Sequence, residues 1–189
     1  MKVKDELSDI IEEAIDILVK FSIPLYQNYN NLPRLLGTGF FVKSNNDYYL
    51  VSAAHVFDAG KQNELFFYVK PNLTRILSGE LLRTKGEDNR LNDNLDIGVL
   101  KLSEGNLPPY PDVEKFAMDI SYLKPHYLPR SGKNYAVIGY PATKSYVDNQ
   151  NMGVAVSLYA YRSHSIDEPD YTTHGLSTDT HVAIKLDLK

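Results

Sequence analysis

Cysteine is missing altogether from the 189 residues, and its absence removes three chemistries at once: disulfide staples, thiolate zinc sites and a cysteine nucleophile. It fits a reducing compartment, so a cytoplasmic location is expected. An excess of positive charge is missing too. Lys and Arg number 20 against 24 Asp and Glu, for a net charge of -4, whereas binding to nucleic acid or anionic lipid shows as clustered Lys and Arg. Neither nucleic acid nor a membrane is expected as a partner. The N-terminus lacks a long apolar run: in "MKVKDELSDIIEEAIDILVKFSIPLYQ" the acids Asp9, Glu12, Glu13 and Asp16 interrupt the stretch that an export signal needs. Internal repeats and low-complexity tracts are also absent. What remains, 43% hydrophobic and 23% charged, is an ordinary globular composition, long enough for one large domain or two small ones.

Within that frame, Leu7, Ile11, Ala14 and Leu18 recur at helical spacing with the acids opposite, which predicts an amphipathic helix ending before Pro24. Its polar face is acidic, so packing on the main domain is expected rather than a membrane surface. From Gly37 the period becomes strand-like. "LLGTGFFVK", "DYYLVSAAH", "ELFFYVK", "LDIGVLKL", "NYAVIGY", "GVAVSLYAY" and "THVAIKLDL" are short runs rich in Val, Ile, Tyr and Phe, separated by Asn, Asp, Gly and Pro clusters. They predict a mostly antiparallel β fold. Asn45, Asn46 and Asp47 tolerate the positive φ of a tight turn, so the first two runs form a hairpin. Between Ser103 and Gly132 five prolines break the pattern, which reads as a connection between two β units. The resulting division is a helix and lead-in at 1–34, a first β unit at 35–103, the connection at 104–132 and a second β unit at 133–189.

The residues able to carry chemistry are few. His55 ends the step "LVSAAH", and about 40 residues later Asp96 stands at the mouth of the apolar run "LDIGVLKL". A carboxylate near an apolar strand needs a partner, and a histidine on a neighbouring strand end supplies one. A carboxylate bonded to the far nitrogen of an imidazole fixes its tautomer and stabilises the protonated ring, which is what a hydrolytic base requires. Two bland readings stand beside this one: His55 as a satisfied core histidine, and Asp96 as a turn residue, with Asp93 close enough to compete for its role. His126, His164, His174 and His181 lack the spacing or acid partners of a zinc site, so no metal is expected. The fourteen tyrosines, spread over strands and loops, read as packing and surface rather than as a base-stacking platform.

"GTGFFV", "LVSAAHVF" and "LDIGVLKL", in that order and spacing, resemble the first two thirds of a trypsin-like serine peptidase of the bacterial, cysteine-free sort. "VIGYP" at Val137 to Pro141 is similar to the strand that opens that family's second barrel. The resemblance covers Gly37 to the C-terminus and implies a chymotrypsin-like double antiparallel β-barrel. It implies His55 as general base, Asp96 as its orienting acid, Gly37 and Gly39 as small residues that let the first strand bend and pack, and no cofactor. The partner it implies is a peptide or protein.

The nucleophile departs from the pattern. The family carries its serine in a G-x-S-G-G turn whose N–H groups form the oxyanion hole, and no such string occurs in these 189 residues. Ser177 in "HGLSTDT" is the nearest look-alike, but Thr178 and Asp179 stand where glycines are needed, and it precedes "THVAIKLDL", one element too early. The second barrel is therefore expected to be incomplete, with open edges through which copies of the chain associate. Two functions follow from the resemblance: a serine endopeptidase or a fragment of one, and a non-catalytic module that binds a peptide or protein. The isolated chain is expected to be inactive.

Overall fold

The computed structural model describes residues 12–60, 64–70, 73–84, 93–103, 111–123, 134–148 and 153–164. Residues 12–19 are helical (α1), and that helix ends ahead of Pro24; Leu7 and Ile11 lie outside the described residues. The chain then enters a sheet built from β1 (Ser22–Tyr29), β2 (Leu32–Ser44), β3 (Asp47–Ala53), β4 (Leu65–Lys70), β5 (Leu73–Ile76), β6 (Gly79–Arg83) and β7 (Ile97–Leu102) in the order β5-β4-β1-β2-β3-β7-β6. Between β3 and β4 sits a short helix, α2 (Ala54–Gly60). After β7 come α3 (Pro111–Phe116) and β8 (Ala117–Asp119), and β8 pairs parallel to β2.

Two tight turns build the centre of the sheet. Asn30 and Asn31, both with positive φ (52° and 63°), form the two-residue loop between β1 and β2, and Asn45 (φ 54°) lies in the turn between β2 and β3. Asn adopts this left-handed conformation at less cost than other side chains. Leu36 is the extra residue of a bulge, since Leu25 faces Gly37 while Tyr26 faces Leu35, and bulges of this kind bend the strand that carries them. The long strand β2 changes partner along that side, from β1 to β8.

The sheet curls around one core. Leu25, Phe41, Leu50, Phe67, Leu100, Leu102 and Val113 belong to a single buried cluster although they come from β1, β2, β3, β4, β7 and α3. A flat sheet would hold β4 and β7 four strands apart. The segment after β5 ties the two sides together, with Leu77 N–H donating to Leu65 O (2.7 Å) and Ser103 N–H donating to Ser78 O (3.2 Å). Phe41 and Phe67 meet edge to face at 5.3 Å in the middle, a geometry that adds about 0.5–1.5 kcal/mol to simple burial.

The second unit holds two small antiparallel sheets among the described residues, β9 (Asn134–Gly139) with β12 (Tyr159–His164) and β10 (Tyr146–Asp148) with β11 (Gly153–Ala155). It docks on the first through an aromatic cluster, where Tyr140 and Val156 pack against buried Tyr26, Leu35 and Phe66. Tyr140 N–H donates to Thr38 Oγ1 at 2.7 Å. A side chain on Gly139 would put its Cβ 2.9 Å from that same hydroxyl oxygen, so glycine is what lets the strands approach.

Mostly β structure, with a curled half-barrel sheet and few helices, agrees with the chymotrypsin-like class that the resemblance implies. Three details differ from the reading of the sequence. The lead-in assigned to 1–34 contains β1, a strand of the main sheet; its Pro24 faces Thr38 of β2, and the pairing with β4 is confined to Tyr26 and Gln27, so no ladder bond to β4 is asked of the missing N–H. The connection at 104–132 contributes α3 and β8 to the first unit, with Val113 in its core and Lys43 bonded to Glu114 at 2.9 Å. The run "GVAVSLYAY" divides into β11 and β12 because its two ends pair with different strands. The run "THVAIKLDL" lies outside the described residues.

Candidate active site

Strand register brings the two candidate residues together. β3 and β7 are antiparallel neighbours with Ala53 opposite Ile97, so the residues just after β3 meet the residue just before β7. "DYYLVSAAH" is not strand to its end: β3 stops at Ala53 and α2 begins at Ala54, which puts His55 in the first turn of a helix rather than on a strand end. Its two followers hold that helix down. Val56 lies against Gly37, where a Cβ would come within 2.9 Å of it, and Phe57 lies over Gly98, where a Cβ would come within 2.4 Å of the ring. Both followers are buried, while the His55 side chain is 61% exposed. An exposed imidazole is thus carried on a rigid mount.

His55 Nδ1 and Asp96 Oδ2 are 2.5 Å apart. The other carboxylate oxygen, Oδ1, accepts the backbone N–H of His55 at 2.9 Å, and the Asp96 carbonyl accepts the N–H of Ala54 at 2.8 Å. The carboxylate therefore caps the first turn of α2 and holds the ring at the same time, since early N–H groups of a helix have no partner inside it. Asp96 takes a positive φ of 45°. Asp93, the competing acid, is turned elsewhere: its Oδ1 accepts the N–H of Asp96 at 3.1 Å. Farther along α2, Asp58 Oδ1 accepts from the Arg83 guanidinium at 2.5 Å.

With Nδ1 engaged, Nε2 is the imidazole nitrogen left for the surroundings, and His55 lines a cleft of about 400 Å³ between the two units. One wall is Leu36, Gly37 and Thr38 of β2; the other is Val137, Gly139, Tyr159 and Tyr161 of the β9–β12 pair. Gly39, the other glycine of "GTGFFV", is packed between Leu25 and Leu50, each 2.8 Å from where its Cβ would be.

A family model described as the trypsin-like peptidase domain matches residues 37–183. The chain belongs to this family. A search among curated proteins finds no significant match. In this trypsin-like peptidase domain, Ser177 lies outside the described residues, as do His126, His174 and His181. Among the described residues no three His, Asp or Glu side chains gather as a metal site would require, and no helix is long and apolar enough to cross a membrane. Sequence reasoning passed over Gly98 and Thr84. The D-x-x-D spacing of Asp93 and Asp96 was the available signal for the turn, because Asp side chains bond to backbone N–H groups a few residues on.

Proposed function

We propose that this chain is a trypsin-like serine endopeptidase homologue that carries the general-base half of an acyl-transfer site. His55 is the base and then the acid, Asp96 holds its tautomer, and no cofactor takes part. The contact between His55 Nδ1 and Asp96 Oδ2 supports this reading above all, with His55 on the wall of the inter-unit cleft. In the reaction, Nε2 takes the proton of a hydroxyl nucleophile as its oxygen attacks the scissile carbonyl carbon. It then returns that proton to the leaving amine as the C–N bond breaks. The substrate is a peptide or protein, and the setting is the cytoplasm, where a chain without cysteine has nothing to lose by reduction.

No residue of the 189 is assigned as nucleophile, because none lies in a G-x-S-G-G turn. Loss of even one oxyanion donor lowers the rate by about 10² to 10³, so the chain as it stands should turn over neither casein nor peptide esters. A fluorophosphonate probe, which reacts with activated serines, should leave it unlabelled. A G-x-S-G-G segment encoded beyond Lys189, when joined to the chain, should produce labelling that disappears in His55→Ala. Labelling of the chain alone that vanishes in both His55→Ala and Ser177→Ala would make Ser177 the nucleophile and overturn the assignment.

The apolar cleft favours a second reading, a non-catalytic peptide-binding module. Val137 and Tyr161 on its wall are 46% and 41% exposed. Coding sequence without any G-x-S-G-G segment, together with peptide binding that survives His55→Ala, would decide for it.

A further inference from the structure

Asp96 is a side-chain-bearing residue in the left-handed region, with φ 45°. Such a conformation persists only where the surroundings hold it, and here it sets the direction of the carboxylate. Were the residue to relax to an extended conformation, the carboxylate would swing off the start of α2 and release His55. The Ala54 N–H on its carbonyl holds Asp96 from one side, and two side chains outside the pair hold it from the other. Asp93 Oδ1 accepts the Asp96 N–H at 3.1 Å, and Asp93 Oδ2 accepts the Thr84 hydroxyl at 2.8 Å.

Thr84 is itself fixed just beyond β6, opposite the first residue of β7. Its N–H donates to Ile97 O at 2.8 Å, and its Oγ1 accepts the N–H of Ile97 at 2.9 Å. A hydroxyl has one hydrogen to give. The Ile97 carbonyl, 3.1 Å from Oγ1, already receives the Thr84 N–H, so the hydroxyl hydrogen goes to the Asp93 carboxylate, the stronger acceptor. The preceding residue, Arg83, reaches Asp58 on α2. Residues 83 and 84 therefore brace both partners, the helix that carries His55 and the turn that carries Asp96.

We propose that Asp93 and Thr84 are positioning residues for the His55–Asp96 pair, holding Asp96 in its left-handed turn so that its carboxylate fixes the Nδ1–H tautomer of His55. The proposal rests on the reading of that pair given above, and its test separates the two. Nitrogen-15 NMR of the whole chain reports the tautomer of His55 and the low-field proton on Nδ1. Asp93→Ala and Thr84→Val should lose that proton, and the ring should pass to a mixture of tautomers, while the spectrum otherwise stays dispersed. Asp93→Asn retains an oxygen for the Asp96 N–H, and its amide N–H donates to the Thr84 oxygen while the hydroxyl hydrogen turns to Ile97 O, so it should keep the signal, as should Thr84→Ser, which retains the hydroxyl.

Persistence of the signal in folded Asp93→Ala and Thr84→Val, with its loss in Asp96→Asn, would overturn the positioning role and leave the pair intact. An unchanged signal in Asp96→Asn would overturn the pair itself, and the positioning role with it. Global unfolding of both Asp93→Ala and Thr84→Val would make the two residues determinants of stability, which also overturns the proposal.

Discussion

Replacing Gly98 with alanine tests whether the mount of His55 is set by one close approach. An added Cβ would lie 2.4 Å from Phe57 Cδ2, 2.7 Å from Cε2 and 3.3 Å from the Ala54 Cα. Carbon atoms rest about 3.5–4.0 Å apart, so the ring has to retreat by roughly 1 Å. Phe57 is 5% exposed and packed in the main core, where voids that would absorb such a movement are few. Overpacking of this kind costs about 1–3 kcal/mol. Alanine also restricts the unfolded chain, which returns about 0.4–1 kcal/mol, leaving a net loss of about 1.3 kcal/mol at the centres of the two ranges. With a urea slope of about 2 kcal/mol/M, the unfolding midpoint should fall by about 0.5–1 M. Circular dichroism is the assay, because the chain has no tryptophan to report by fluorescence. The displacement enters α2 at its first turn, so the low-field Nδ1 proton of His55 should weaken as well. A smaller residue beneath the new methyl, in Gly98→Ala with Phe57→Leu, should recover some of the lost midpoint. A midpoint that stays put or rises in Gly98→Ala would refute the argument that this contact fixes the helix.

Three further outcomes follow from other regions of the fold. Burial, with the Tyr68 and Tyr140 phenols nearby, pushes Tyr26 up to about 12; the unfolded chain gives up this proton first, near pH 10. Its contribution is therefore complete below about pH 10 and is lost as pH rises towards 12, at up to about 1.4 kcal/mol per pH unit. Ultraviolet titration should show some tyrosines ionising only as the chain unfolds, and reversible titration of all fourteen near pH 10 would contradict this. In the turn between β1 and β2, Asn31→Val should destabilise by about 1–2 kcal/mol because φ is 63° there, while Asn31→Gly should be harmless; equal urea midpoints for the two variants would count against the turn. An incomplete second barrel, which the resemblance implies, would leave strand edges that pair with another copy. Light scattering that finds a monodisperse monomer at high concentration, with slow amide exchange through β9 and β12, would exclude such association.

How much of this was legible beforehand depends on the kind of signal. The hairpin of β2 and β3 was visible because Asn45 and Asn46 separate a pair of apolar runs of strand composition. β1 was hidden by its own proline and by the helical period running into it, and its pairing is tertiary information. β5, β6 and β8 are three to five residues long, too short for a period of two to stand out. The helix at Ala54 was masked by the strand run leading into it. What decides for helix is a contact 41 residues distant in sequence, where the Asp96 carboxylate receives the His55 N–H.

The same dependence explains why the pair could be foreseen and its support could not. His55 and Asp96 each adjoin an apolar strand, and two adjacent antiparallel strands necessarily bring the end of one beside the start of the other. Register does the rest: Ala53 faces Ile97, with Leu50 and Leu100 both turned into the core. A slip by one residue would turn every inward side chain of β7 outward, so the burial that fixes the sheet also fixes the distance between imidazole and carboxylate. The orientation of the carboxylate is a separate matter. It depends on one left-handed residue, one acid three positions earlier and one hydroxyl at the end of β6, none of which has a periodic signature. Core packing therefore sets where the pair meets, and the polar turn sets whether it meets in the right direction. For that reason Asp93→Ala should disturb the His55 proton far more than it lowers the urea midpoint, whereas Gly98→Ala should move both.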